Sequence, residues 1–149
     1  MIHPESTEIL KNLNETCERN LSGLLGIRFV KATQNFLSAT MPVTPKIHQP
    51  YGMLHGGASV ALAETLGSTL SALHIDIKKF YPVGININSN HLRSVKSGII
   101  TGTACFIRKG NNLHVSQIEI LDNKGRIINY TTMTNAILPH KNEGENNVL

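Results

Sequence analysis

The stretch from Gln49 to His74 constrains this chain more than any other. From Gly56 onward it is built of small and apolar residues, with Glu64 the single carboxylate or cation before Asp76. Apolar positions (Ala58, Val60, Ala61, Leu62, Ala63, Leu66, Leu70, Leu73) fall nearly all round a 3.6-residue wheel. That spacing predicts a helix over 56–74 buried on most of its sides. A lone carboxylate in such a helix is costly to bury unless something compensates it. Glu64 is therefore the first residue to suspect of chemistry.

Around this helix the chain reads as strands. Pro4, Ile9, Leu10, Leu13 and Cys17 predict an amphipathic N-terminal helix within residues 1–20, a cover for the core. Leu25 to Thr33 and Phe36 to Val43 read as strands joined at Gln34-Asn35. Thr44 to Leu54 is a loop carrying Pro45 and Pro50. After the helix, Asp76 to Pro82 reads as a surface loop. Strands are then predicted over 82–95, 98–109, 113–122 and 126–138, with turns at Gly110-Asn111-Asn112 and Asn123-Lys124-Gly125. Residues 139–149 read as a flexible polar tail. A domain over 21–138 thus runs two strands, one long helix and a meander of about four strands. The fold class expected is α+β, a curved antiparallel sheet wrapped around one long central helix. Ile118 and Ile120, read as opposite Val115, hint that the second sheet face is covered by another subunit.

At 149 residues this is one domain with room for a real core. A formal charge of +4 without a dense Lys/Arg stripe, 5% aromatic residues and no Trp argue against a nucleic-acid partner. The helix is too interrupted by Gly, Ser and Glu64 to span a membrane. Cys17 and Cys105 are far apart and lack metal-ligand spacing, and no signal peptide is visible, so a cytoplasmic protein is expected. The seven histidines form no metal constellation, no nucleophile elbow is present, and no cofactor is expected. His48 and His74 read as structural.

His55-Gly56-Gly57 opens the helix. Amides there have no intrahelical acceptor and carry partial positive charge, so they suit an anion or a developing oxyanion. Equally, the glycines allow a sharp entry turn, and the two readings stand level. Glu64 lies eight residues on, roughly 12 Å along the axis. One helix could hardly present both groups to the same carbonyl, whereas two helices antiparallel across a dimer axis could. Ser68 shares a face with Glu64 and could hold a water; considered alone, it reads as a small packing residue. Gln49 and His55 flank the loop, able to bind a carbonyl or steady the turn.

The run Gln49-Pro50-Tyr51-Gly52-Met53-Leu54-His55-Gly56-Gly57-Ala58-Ser59, with Glu64 and Ser68 at these spacings, resembles the hotdog-fold acyl-CoA thioesterases. Within them it looks most like the 1,4-dihydroxy-2-naphthoyl-CoA hydrolase and aroyl-CoA thioesterase branch. The likeness continues through Val83 to Ser94, Gln117 to Ile120 and Asp122 to Leu138, covering roughly residues 20 to 138. It implies that Glu64 is nucleophile or general base, that the Gly56 amide holds the oxyanion, and that Gln49 and His55 position the thioester and the loop. Ser68 would help to hold the attacking water. It implies coenzyme A near Gly84, His91, Leu92, Arg93 and Ser94, and near the turn Arg108, Lys109, Gly110, Asn111, Asn112 and Leu113. Arg93, Arg108 and Lys109 are then partners for its phosphates; without the resemblance they are ordinary solvated cations. The chain departs from the branch where Asn111-Asn112 follows the turn glycine in place of a basic residue, and where Ser116 replaces an aromatic. The resemblance implies a homodimer or homotetramer with sites between subunits and an acyl-CoA as the small-molecule partner. Two rival readings are a hotdog hydratase or dehydratase using His55, and a non-catalytic acyl-CoA-binding domain.

Overall fold

The structure, a computed structural model, describes residues 7–140. Pro4 and residues 141–149, on which the N-terminal turn and most of the expected tail fall, lie outside them. In chain order the elements are α1 (Thr7–Cys17), α2 (Leu21–Leu24), β1 (Arg28–Ala32), β2 (Phe36–Val43), a 3-10 turn (Pro45–Ile47), α3 (Gly56–Ala72), β3 (Phe80–His91), β4 (Gly98–Lys109), β5 (Leu113–Leu121) and β6 (Ile127–Pro139). The strands form one antiparallel sheet in the order β1-β2-β4-β5-β6-β3.

Register shifts interrupt the ladders between Phe29 and Lys31, Gly84 and Asn86, Phe106 and Arg108, and Ile120 and Leu121. An extra residue on one strand bends it and steepens its twist, so the sheet curls and α3 touches strands β2 through β6. The core lies between them: Leu62, Leu66 and Leu70 of the helix against Leu37, Met41, Ile100, Ile118, Ile120 and Met133, all fully buried or nearly so. Gly102 keeps the two layers close. A Cβ there would stand 2.6 Å from Leu66 Cδ1.

Four expectations are corrected. The meander has three strands, because β4 pairs along its length with β2, from Gly98 opposite Val43 to Cys105 opposite Phe36. Among the described residues β3 pairs with β6 alone and forms the far edge. β3 also begins at Phe80 and ends at His91: pairing of Phe80 with Pro139 draws the expected loop into the sheet. β1 starts only at Arg28, since Leu21–Leu24 forms a short helix whose cap Asn20 accepts from the Ser22 N–H at 2.9 Å. Gly26 (φ 71°) then turns the chain into the strand. Finally, Ile118 and Ile120 both face the helix, while Val115, Gln117 and Glu119 alternate with them on the outer side. One chain accounts for those isoleucines.

The two sheet edges differ. On β1, the Asn14 amide of α1 takes the place of a neighbouring strand, donating to Phe29 O at 3.0 Å and accepting from Phe29 N–H at 2.8 Å. Ile9, Leu10 and Leu13 of the same helix pack on the core. Among the described residues β3 has no such cover, and Phe80, Tyr81 and Ile85 stand exposed along it.

Candidate active site

The entry to α3 is built from backbone bonds that leave one amide over. The Leu54 N–H donates to Val95 O (2.7 Å), His55 N–H to Ile47 O (2.9 Å) and Ala58 N–H to His55 O (3.0 Å). His55 is the helix cap, its Nδ1 accepting from the Gly57 N–H at 2.8 Å. The Gly56 N–H has no acceptor among the described residues. It belongs to the first turn, where a helix supplies none, and Gly56 lines an open cavity of about 320 Å³.

Gln49 lines the same cavity. Its Oε1 accepts from the Tyr51 N–H, which leaves the side-chain NH2 as the group to offer a ligand. His91, the last residue of β3, and Leu92, Arg93 and Ser94 just beyond it also line this cavity. The His91 ring tip reaches the helix itself: a Cβ on Gly56 would stand 2.8 Å from Nε2. Arg93 is already engaged, donating from Nη1 to Ile127 O.

Glu64 opens elsewhere. It is exposed in the isolated chain rather than buried, because among the described residues the edge strand β3 beside it has no strand on its far side. It lines a small cavity of about 210 Å³ with Gly84, Ile85, Asn86, Ile87 and Met133. Ser68, one turn on, is half-buried and lines neither cavity.

Lys109, Gly110, Asn111 and Asn112 line a third cavity, of about 460 Å³, with His74, Phe80 and His114. Arg108 and Leu113 are exposed beside it. Leu113 pairs with Ala136 and His91 with Asn129. The two halves of the expected coenzyme site are therefore seven residues of β6 apart, roughly 23 Å. One chain does not bring them together.

His114 is 2% exposed, and its Nδ1 has no hydrogen-bond partner among the described residues. Burial pushes its pKa below the usual histidine value, helped by the nearby His74 and Lys109; a hydrogen bond with the Gly110 backbone opposes this.

This geometry has counterparts. Residues 51–128 match the family model of the Thioesterase superfamily. The 1,4-dihydroxy-2-naphthoyl-CoA hydrolase of Escherichia coli is 43% identical over 129 residues, spanning 87% of this chain and 94% of that protein. The chain belongs to the thioesterase superfamily. A crystallised thioesterase of Haemophilus influenzae superposes with a TM-score of 0.88 at 36% identity, covering 97% of this chain and 100% of the other. A variant of a Pseudomonas aeruginosa thioesterase does so at 0.87 and 40%, covering 91% and 98%. The antiparallel sheet closed around α3 is the hotdog fold, and this thioesterase is a thioester hydrolase.

Sequence reasoning missed Asn129 and His114 in this thioesterase. A signal for the first existed. The odd positions of β6 face the helix, and Asn129, Thr131 and Asn135 break the apolar run expected there.

Proposed function

We propose that this thioesterase hydrolyses an acyl- or aroyl-CoA to the free acid and coenzyme A, with 1,4-dihydroxy-2-naphthoyl-CoA the leading aroyl candidate, as a homodimer with sites shared between chains. One observation carries the reading. An unspent amide at Gly56 and a carboxylate at Glu64 lie on one helix, eight residues and roughly 12 Å apart, opening into different cavities. General-base attack and oxyanion stabilisation must act within about 3 Å of one carbonyl. An antiparallel partner supplies the missing half.

The open edge of β3 supports that pairing. Two β3 strands side by side in opposite directions would set Phe80 of one chain near His91 of the other. The Gly56 cavity would then adjoin the partner's Lys109–Asn112 turn, reuniting the coenzyme site with Arg108 and Lys109 near its phosphates. Glu64 takes a proton from water as the water adds to the thioester carbonyl, or adds to it directly to give an anhydride that water then cleaves to the free acid and the restored carboxylate. The oxygen gains negative charge against the Gly56 N–H and the Gln49 NH2, Ser68 steadies the water, and collapse of the adduct expels the thiolate of coenzyme A. His55, as helix cap, holds the loop. The free thiols of Cys17 and Cys105 suit a cytoplasmic setting, and no helix among the described residues is long and apolar enough to cross a membrane.

Release of free thiol from a panel of acyl- and aroyl-CoAs tests this, with Glu64→Ala beside the parent. The expected loss is about two decades or more in kcat. Equal turnover removes Glu64 from the mechanism. Hydration or dehydration of the acyl chain without thiol release replaces the hydrolase reading with the hydratase one.

A further inference from the structure

A closed set of hydrogen bonds stands behind His91. Asn129, opposite it in register and 1% exposed, has its Nδ2 2.7 Å from Ser89 Oγ and 3.1 Å from His91 Nδ1. Its Oδ1 lies 2.7 Å from Thr131 Oγ1, a fully buried hydroxyl. Ser89 Oγ and Thr131 Oγ1 are 2.8 Å apart.

These contacts set the proton directions. With the amide in this orientation, the Thr131 hydroxyl donates to Asn129 Oδ1, Ser89 donates to Thr131, and the NH2 group donates to Ser89 and to His91 Nδ1. Every proton has an acceptor. In the reverse orientation only Thr131 would face the NH2 group, and its second proton would be buried unpaired, which costs the full desolvation of that donor. His91 Nδ1 is thus an acceptor, and in the neutral ring the proton sits on Nε2. That is the ring tip that meets Gly56, in the cavity holding the Gln49 amide.

We infer that Asn129, with Ser89 and Thr131, is a positioning unit that locks His91 as its Nε2–H tautomer and so gives the helix-start cavity a side-chain donor beside the Gly56 amide. The inference rests on the hydrolase reading for its purpose, though not for its geometry. Asn129→Asp replaces the donor by a carboxylate, which accepts from Nδ1–H and draws the neutral ring into the other tautomer. Thr131→Val is nearly isosteric and frees the amide to rotate, so both tautomers are expected.

The test is 15N nuclear magnetic resonance of histidine-labelled protein at a pH where the ring is neutral, with the His91 signals identified by their loss in His91→Gln. The parent is expected to show Nε2–H, Asn129→Asp the Nδ1–H form, and Thr131→Val a mixture. In step with that order, kcat/KM should fall by about 10- to 100-fold in Asn129→Asp, short of the ~10²–10³ of deleting an oxyanion donor outright. Nδ1–H in the parent, or a tautomer unmoved by Asn129→Asp, overturns the inference whether or not thioesters are cleaved. So does a switched tautomer with undiminished kcat/KM. A parent inert toward every thioester, with the tautomer as expected, would instead count against the hydrolase reading.

Discussion

The carboxylate of Glu64 stands against the backbone of Gly84: Oε1 lies 3.0 Å from the place a Cβ would occupy, and Met133 Cε lies equally near. The side chain is exposed to solvent yet has a wall behind it. That wall is a glycine at a register shift in the edge strand, and a larger residue would push into the acid.

Gly84→Ala should therefore displace Glu64 with little effect on folding, since β3 is an edge and Gly84 is itself exposed. We expect kcat to fall by about 10- to 100-fold, the scale of a misplaced reacting group, with a urea midpoint close to the parent's. Unchanged kcat would mean that Met133 gives way and the carboxylate stays put.

A shared site makes a prediction about mixtures. Glu64→Ala and Gln49→Ala should each be nearly inactive as pure proteins. Refolded together, they form mixed dimers in which one site carries both lesions and the other carries neither. Random pairing of equal amounts should restore about a quarter of parental activity through the two-fold axis. No recovery on mixing would place both side chains on the same chain's site.

The Asn14 amide closes the β1 edge with two bonds to Phe29. Asn14→Ala removes both and leaves an open strand. Stability should drop by about 1–3 kcal/mol, read from urea unfolding, with turnover per folded molecule intact. A loss of kcat without a loss of stability would contradict this purely structural role.

His114 carries a pH signature. Its folded-state pKa is lowered chiefly by burial, so below the ordinary value of about 6.5 the unfolded chain binds a proton that the folded one refuses. Its contribution is complete above that pH and is lost as pH falls below it toward the folded-state value. The parent should lose thermal stability between neutral and mildly acidic pH more steeply than His114→Leu does. Parallel curves would show that the ring is not refused its proton.

The sequence by itself determined the central helix, whose start at Gly56 and end near Ala72 follow from the glycine entry and the apolar run. It determined most of the strand and turn positions, because periods of 3.6 and 2 and the turn residues are local properties. Spacing together with the family likeness put forward Gln49, Gly56, Glu64 and Ser68 as a site; the fold opens Gln49 and Gly56 into one cavity and Glu64 into another, and leaves Ser68 out of both. Tertiary structure alone decided where β3 goes, for periodicity marks a strand without naming its neighbour, and β2 had already claimed β4. It decided that Glu64 is open to solvent: burial depends on what packs alongside, and an edge strand packs on one side only. It also brought Asn129 of β6 under His91 of β3, a contact across a strand pair that local sequence does not encode.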